Sequence, residues 1–151
     1  MKNILVLLLF FSGLNAGILD MRLKACNEGN AKKCWEVADM YSFGMGVDKV
    51  DIFKTIKYFK KSCEMGYQEG CVSLGMRYIL GQGVKQDYSK GIDLYRKACD
   101  AGHSGGCNGL GFMYEIGEGV TVDLPKAKQF YSKACDLGSD MGCSDYAKLN
   151  K

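Results

Sequence analysis

Cysteine carries the most chemistry in this 151-residue sequence, and its spacing is regular. The eight cysteines form four pairs, Cys26/Cys34, Cys63/Cys71, Cys99/Cys107 and Cys135/Cys143. Partners stand eight residues apart, and successive pairs begin 37, 36 and 36 residues apart. Thiols so placed could bond to one another, hold a metal or attack an electrophile. Zinc sites usually set paired cysteines closer along the chain, with histidines beside them, whereas this chain has one histidine, His103. His103 lies in a glycine-rich turn close to Asp100, where an exposed imidazole with no task is expected. No serine, histidine and carboxylate fall into a pattern that names a nucleophile and its base. An even set of thiols without such partners is expected to end as disulfides, with no metal and no cofactor.

The N-terminus supplies a reason for oxidised thiols. Lys2 precedes an unbroken apolar run from Ile4 to Phe11, and Ser12-Gly13-Leu14-Asn15-Ala16 ends in a small residue. This is the layout of a secretory signal peptide over residues 1–16, cut near Gly17. The run is far short of the ~20 residues of a membrane span, and no cysteine follows the cut to carry a lipid. A secreted or periplasmic chain meets an oxidising compartment. The net charge of +3, with 25% charged and 47% hydrophobic residues, is globular and too mild for nucleic-acid binding. Lys54, Lys57, Lys60 and Lys61 read as the solvated face of one helix.

The elements that position the cysteines repeat with them. Tyr41, Tyr78 and Tyr114 match, as do Gly44, Gly81 and Gly117, and the pairs Gly46-Val47, Gly83-Val84 and Gly119-Val120. Asp51, Asp87 and Asp123 each stand twelve residues before the next cysteine, and the first unit has one extra residue between Val47 and Asp51. Cys71, Leu74, Gly75, Tyr78 and Ile79 recur at i, i+3, i+4, i+7 and i+8, one face of a helix. Gly-x-Gly-Val stops that helix, because glycine enters the left-handed region freely. Asp87 then caps a second helix, Pro125 fits a first turn, and Gly66, Gly102 and Gly138 end the second helices. Each unit is a helical hairpin, and stacked hairpins make an all-α solenoid. The expected units are residues 25–61, 62–97 and 98–133, with a partial unit at 134–151, inside a domain over 17–151.

Two disulfide schemes suit this repeat. Eight-apart pairing joins the end of one helix to the start of the next across a glycine turn. Pairing within a hairpin, Cys34–Cys63, Cys71–Cys99 and Cys107–Cys135, also brings ends together, but it strands Cys26 and Cys143. The eight-apart scheme strands none and is the preferred of the two.

Leu74-Gly75, Tyr78, Gly81, Gly83-Val84, Asp87, Lys90, Tyr95 and Gly102 resemble the Sel-one-like repeat, a relative of the tetratricopeptide repeat. Leu110-Gly111, Tyr114, Gly117, Gly119-Val120, Asp123, Lys126-Ala127 and Tyr131 repeat the likeness. The first unit departs from the pattern at Val37-Ala38 and Thr55-Ile56. Cysteines stand where that family has two alanines at its helix contacts, which is similar to the Helicobacter cysteine-rich protein family. The resemblance implies a secreted, disulfide-linked α/α repeat with disulfides eight residues apart. It also implies binding of penicillin-like compounds and slow β-lactam hydrolysis. The residues for that hydrolysis are not legible: no Ser-x-x-Lys occurs, and Lys54-Thr55-Ile56 lacks the glycine of Lys-Thr-Gly.

A solenoid offers a concave face for an extended ligand. The variable first-helix positions are the expected ligand residues: Trp35, Asp39, Met40, Met76, Arg77, Asn108 and Phe112. Trp and Arg are types enriched in binding hot spots. The expected partner is a protein or peptide, or a cell-wall fragment or β-lactam, bound by a monomer.

Overall fold

The computed structural model describes residues 17–47 and 49–151, so the expected signal peptide lies outside the described residues. All regular structure among them is helical. The chain divides into two compact units, Met1–Tyr67 and Gln68–Lys151. In the first are α1 (residues 17–27), α2 (Ala31–Phe43) and α3 (Ile52–Glu64). In the second are α4 (Gln68–Leu80), α5 (Tyr88–Asp100), α6 (Ser104–Ile116), α7 (Leu124–Asp136) and α8 (Asp140–Lys148). No described helix is long and apolar enough to cross a membrane.

Helix length is set by caps at both ends. Asp51, Asp87 and Asp123 each accept the backbone N–H three residues on, from Lys54, Lys90 and Lys126. The carboxylate thereby satisfies one of the exposed first-turn donors. Those hydrogen bonds hold the Asp51 and Asp87 carboxyls below the ordinary carboxylate range. The backbone N–H of each Asp donates in turn to the carbonyl of the preceding repeat tyrosine, Tyr41, Tyr78 or Tyr114, at 2.9–3.0 Å. That bond fixes the width of the Gly-x-Gly-Val turn. The other ends close as Schellman motifs: Gly102 takes a φ of +83°, and the His103 N–H reaches back to the Ala98 carbonyl at 3.0 Å. The Tyr67 and Ser139 N–H groups do the same with Ser62 and Ala134.

In the α2–α3 and α6–α7 hairpins the two helices meet over the repeat tyrosine. The Tyr41 ring stacks on Tyr58 at 5.9 Å and the Tyr114 ring on Phe130 at 5.7 Å, while Lys54 and Lys126 lie over the outer faces of Tyr41 and Tyr114. Tyr41 and Tyr114 are buried and Tyr78 is partly exposed. Three disulfides join neighbouring helices across the short turns: Cys26–Cys34, Cys99–Cys107 and Cys135–Cys143, with Cα atoms 4.5–4.7 Å apart. Cys63 and Cys71 are bonded as well, and none of the cysteines is free. The three pairs Cys26–Cys34, Cys99–Cys107 and Cys135–Cys143 follow the eight-apart scheme. It demands close backbone approach: a Cβ at Gly106 would lie 2.7 Å from the Tyr95 carbonyl oxygen and 2.7 Å from the Cys99 nitrogen.

Candidate functional site

The first helices of the second unit, α4, α6 and α8, line a groove of about 820 Å³. Its floor includes Gly109 and the second-helix Tyr131, and beneath it second-helix tyrosines seat against first-helix glycines. The Tyr95 ring lies between Gly75 and Gly109, and a Cβ at Gly109 would meet it at 2.7 Å. Tyr131 packs against Gly111 in the same way and is 1% exposed. Small residues on the first helix thus let a large ring rise into the groove floor.

Apolar side chains stand above that floor. Met76, Phe112 and Met141 are 46%, 50% and 64% exposed, and Val72 joins them. Exposed apolar groups gathered in a cleft differ from scattered surface hydrophobics, and they mark a contact surface. Two features are polar. The Asn108 Oδ1 is buried with no hydrogen-bond partner, an acceptor whose desolvation is uncompensated. At the α8 end the Tyr131 hydroxyl donates to Glu115 at 2.5 Å, and Lys148 pairs with Asp145 at 2.6 Å. Burial, then the Glu115 carboxylate, pushes the Tyr131 phenol far above its usual range. The Asp145 hydrogen bond raises the Lys148 ammonium. Both groups hold their protons at neutral pH.

Of the expected ligand residues, Met76, Asn108 and Phe112 line this groove together. Arg77, half-buried on α4, gives a guanidinium N–H to Gln82 at 2.7 Å and is not among the lining residues. Trp35 and Asp39 are half-buried in the first unit, where the Trp35 ring tilts 60° to Tyr67 at 6.2 Å. Met40 is a correction: it is 3% exposed and packs in the first unit's core, because it shares the buried stripe of Val37 and Tyr41. The idle imidazole is a second correction. His103 is the N-cap residue of α6, its side chain 27% exposed, with Nε2 2.8 Å from the Glu69 carboxylate.

Sequence reasoning missed Met141, Glu115, Tyr131, Asp145 and Lys148. Lys148 was within reach: it stands five residues past Cys143, as Phe112 does past Cys107 and Met76 past Cys71. Carrying the register into the partial unit finds it. Tyr131 and Glu115 sit on different helices, and only the packing of α6 on α7 brings them together.

Comparison with known proteins supports this architecture. The chain resembles the crystal structure of a Sel1 repeat protein from Oxalobacter formigenes, with a TM-score of 0.84 and 28% identity over 89% of this chain and 54% of that one. It also resembles Helicobacter pylori cysteine rich protein B, with a TM-score of 0.68 and 29% identity over 88% of this chain and 95% of that one. Among curated sequences it is 32% identical over 68 residues to cytochrome c oxidase assembly factor 7A of Xenopus laevis. That match spans 44% of this chain and 29% of that protein. The Sel1 repeat is matched three times, at residues 34–67, 68–103 and 104–139, and the capped hairpins, glycine turns and stacked tyrosines described above occupy these segments. The chain belongs to the Sel1 repeat family, whose scaffold is typical of protein–protein interaction.

Proposed function

We propose that this protein is an exported, monomeric repeat scaffold whose second unit binds an extended segment of a partner protein in the α4–α6–α8 groove. Residues 1–16 are read as its cleaved signal peptide and 17–151 as the repeat domain. The observation that carries the reading is the exposure of Met76, Phe112 and Met141 along one cleft with a rigid floor. Three apolar anchors on successive first helices suit a chain-like ligand better than a compact one. Disulfide-bonded cysteines suit an oxidising compartment and hold neighbouring helices in fixed register. A scaffold so constrained loses little further freedom on binding.

The test is affinity capture from the extracytoplasmic fraction of the source cells, with the wild-type chain and the Met76→Ala/Phe112→Ala pair side by side. The reading expects one partner retained by the wild type and released by the double variant, with binding reproduced by a linear peptide of that partner. A fluorescent penicillin and nitrocefin are assayed on the same preparation. Penicillin binding displaced by no peptide, or nitrocefin turnover near ~10 per second, an ordinary enzyme rate, would replace the scaffold reading with the β-lactam one.

A further inference from the structure

Resting on the reading that the groove holds an extended peptide, we infer that Glu115 is a subsite for a basic side chain of that peptide, a lysine ammonium or an arginine guanidinium. Three charged residues line the groove: Glu115, Asp145 and Lys148. Asp145 already has its cation in Lys148, at 2.6 Å. Glu115 pairs with no lysine, arginine or histidine among the described residues; its one polar partner is the neutral Tyr131 hydroxyl. The groove lining therefore carries two carboxylates and one cation, and Lys148, hydrogen-bonded to Asp145, acts on Glu115 only through space.

That carboxylate is also held still. The Tyr131 ring is buried against Gly111, so its hydroxyl is a fixed point, and Glu115 is tied to it through one oxygen. A carboxylate has about four lone-pair sites, and Tyr131 takes one. The other oxygen is free to accept from a ligand. A prearranged acceptor spends less side-chain entropy on forming a charge-assisted hydrogen bond. Phe112 and Met76, on the same face, suit the alkyl stem of a long basic side chain. Asn108 also lines the groove, and an extended backbone supplies N–H groups at regular intervals. Acceptors on the protein call for donors on the ligand. Penicillins and peptidoglycan stems carry carboxylates, and these would face Glu115 while the lining cation, Lys148, is already engaged.

The experiment uses the oxidised chain beginning at Gly17 and end-capped, fluorescein-labelled decapeptides of alternating Leu and Ser. Each position in turn is replaced by Lys, Gln or Glu, and affinity is read by fluorescence anisotropy. The tightest Lys peptide should bind about tenfold better than its Gln counterpart, and the Glu counterpart should be weakest. Glu115→Gln keeps an acceptor for Tyr131, so the fold is retained. It should abolish the Lys preference and leave Gln-peptide affinity within about twofold. The subsite is overturned, with the groove intact, if peptides bind and lose affinity in Phe112→Ala while Lys, Gln and Glu versions are equal. It is overturned equally if the Lys preference survives Glu115→Gln. If no peptide binds the folded chain, the groove reading beneath it fails instead.

Discussion

Replacing Cys99 and Cys107 together by alanine removes one staple and leaves every cap in place. The disulfide closes a sequence separation of 8 residues. In the chain-entropy account, opening a loop of that size restores freedom to the unfolded chain worth about 2.5 kcal/mol at 25 °C. Both sulfurs are fully buried, and lost packing around two alanines adds about 1 kcal/mol. The expected loss is thus about 3–4 kcal/mol, a large share of the roughly 5–15 kcal/mol that stabilises an ordinary domain. Helix content should change little, because the Schellman bonds at Gly102 and His103 and the Asp87 cap close α5 locally. Urea unfolding followed by far-ultraviolet circular dichroism measures both quantities. The midpoint should fall while the native signal holds, and the slope should rise as the unfolded state expands. A loss under about 1 kcal/mol would refute the entropic reasoning. A native helical signal that collapses without denaturant would show that the disulfides, and not the caps, maintain the helices.

Peptide mapping under non-reducing conditions should join Cys63 to Cys71; a Cys71–Cys99 peptide would contradict the eight-apart pattern. Gly106→Val places side-chain carbons against the Tyr95 carbonyl and the Cys99 nitrogen. It should destabilise by about 1–3 kcal/mol as overpacking, read as a lower thermal midpoint, with Asn150→Val as an exposed control expected to change little. Asp87 has a folded pKa held below its unfolded value by the Lys90 N–H. Its cap contribution is complete above the unfolded pKa of about 3.9 and is lost as pH falls through the lower folded value. The thermal-midpoint gap between wild type and Asp87→Asn should therefore be steady above about pH 4 and shrink below it; a gap that grows on acidification would contradict the sign.

The repeat was legible because it is written in residues with few alternatives. Only glycine suits the positive φ at Gly66, Gly102 and Gly138, only a short acceptor caps at Asp51, Asp87 and Asp123, and cysteines announce their partners by spacing. The groove was partly legible. Met76, Asn108 and Phe112 were found as variable positions of the first helices. The same reasoning misled at Met40, which stands six residues past Cys34 where Met76 and Phe112 stand five past their cysteines; one residue further round a helix turns a side chain by about 100° and carries it from groove to core. Glu115 was invisible for another reason. Its counterparts Ser42 and Ile79 share no chemistry with it, so repeat alignment gives it no meaning, and its role rests on Tyr131 from the next helix. His103 was misread because the return of Glu69 from a helix one repeat earlier is a tertiary contact.

The central claim is that the α4–α6–α8 groove of the second unit is where a partner binds. Photo-crosslinking tests it most directly. Benzoylphenylalanine is placed at Phe112, inside the groove, and in a second chain at Gln129, exposed on α7 outside it. Each chain is exported, irradiated in the source cells and analysed for adducts. The account predicts a partner adduct at position 112 that maps to one short linear segment of the partner, and none at position 129. Adducts at 129 with none at 112 would place recognition on the second-helix face and contradict the account.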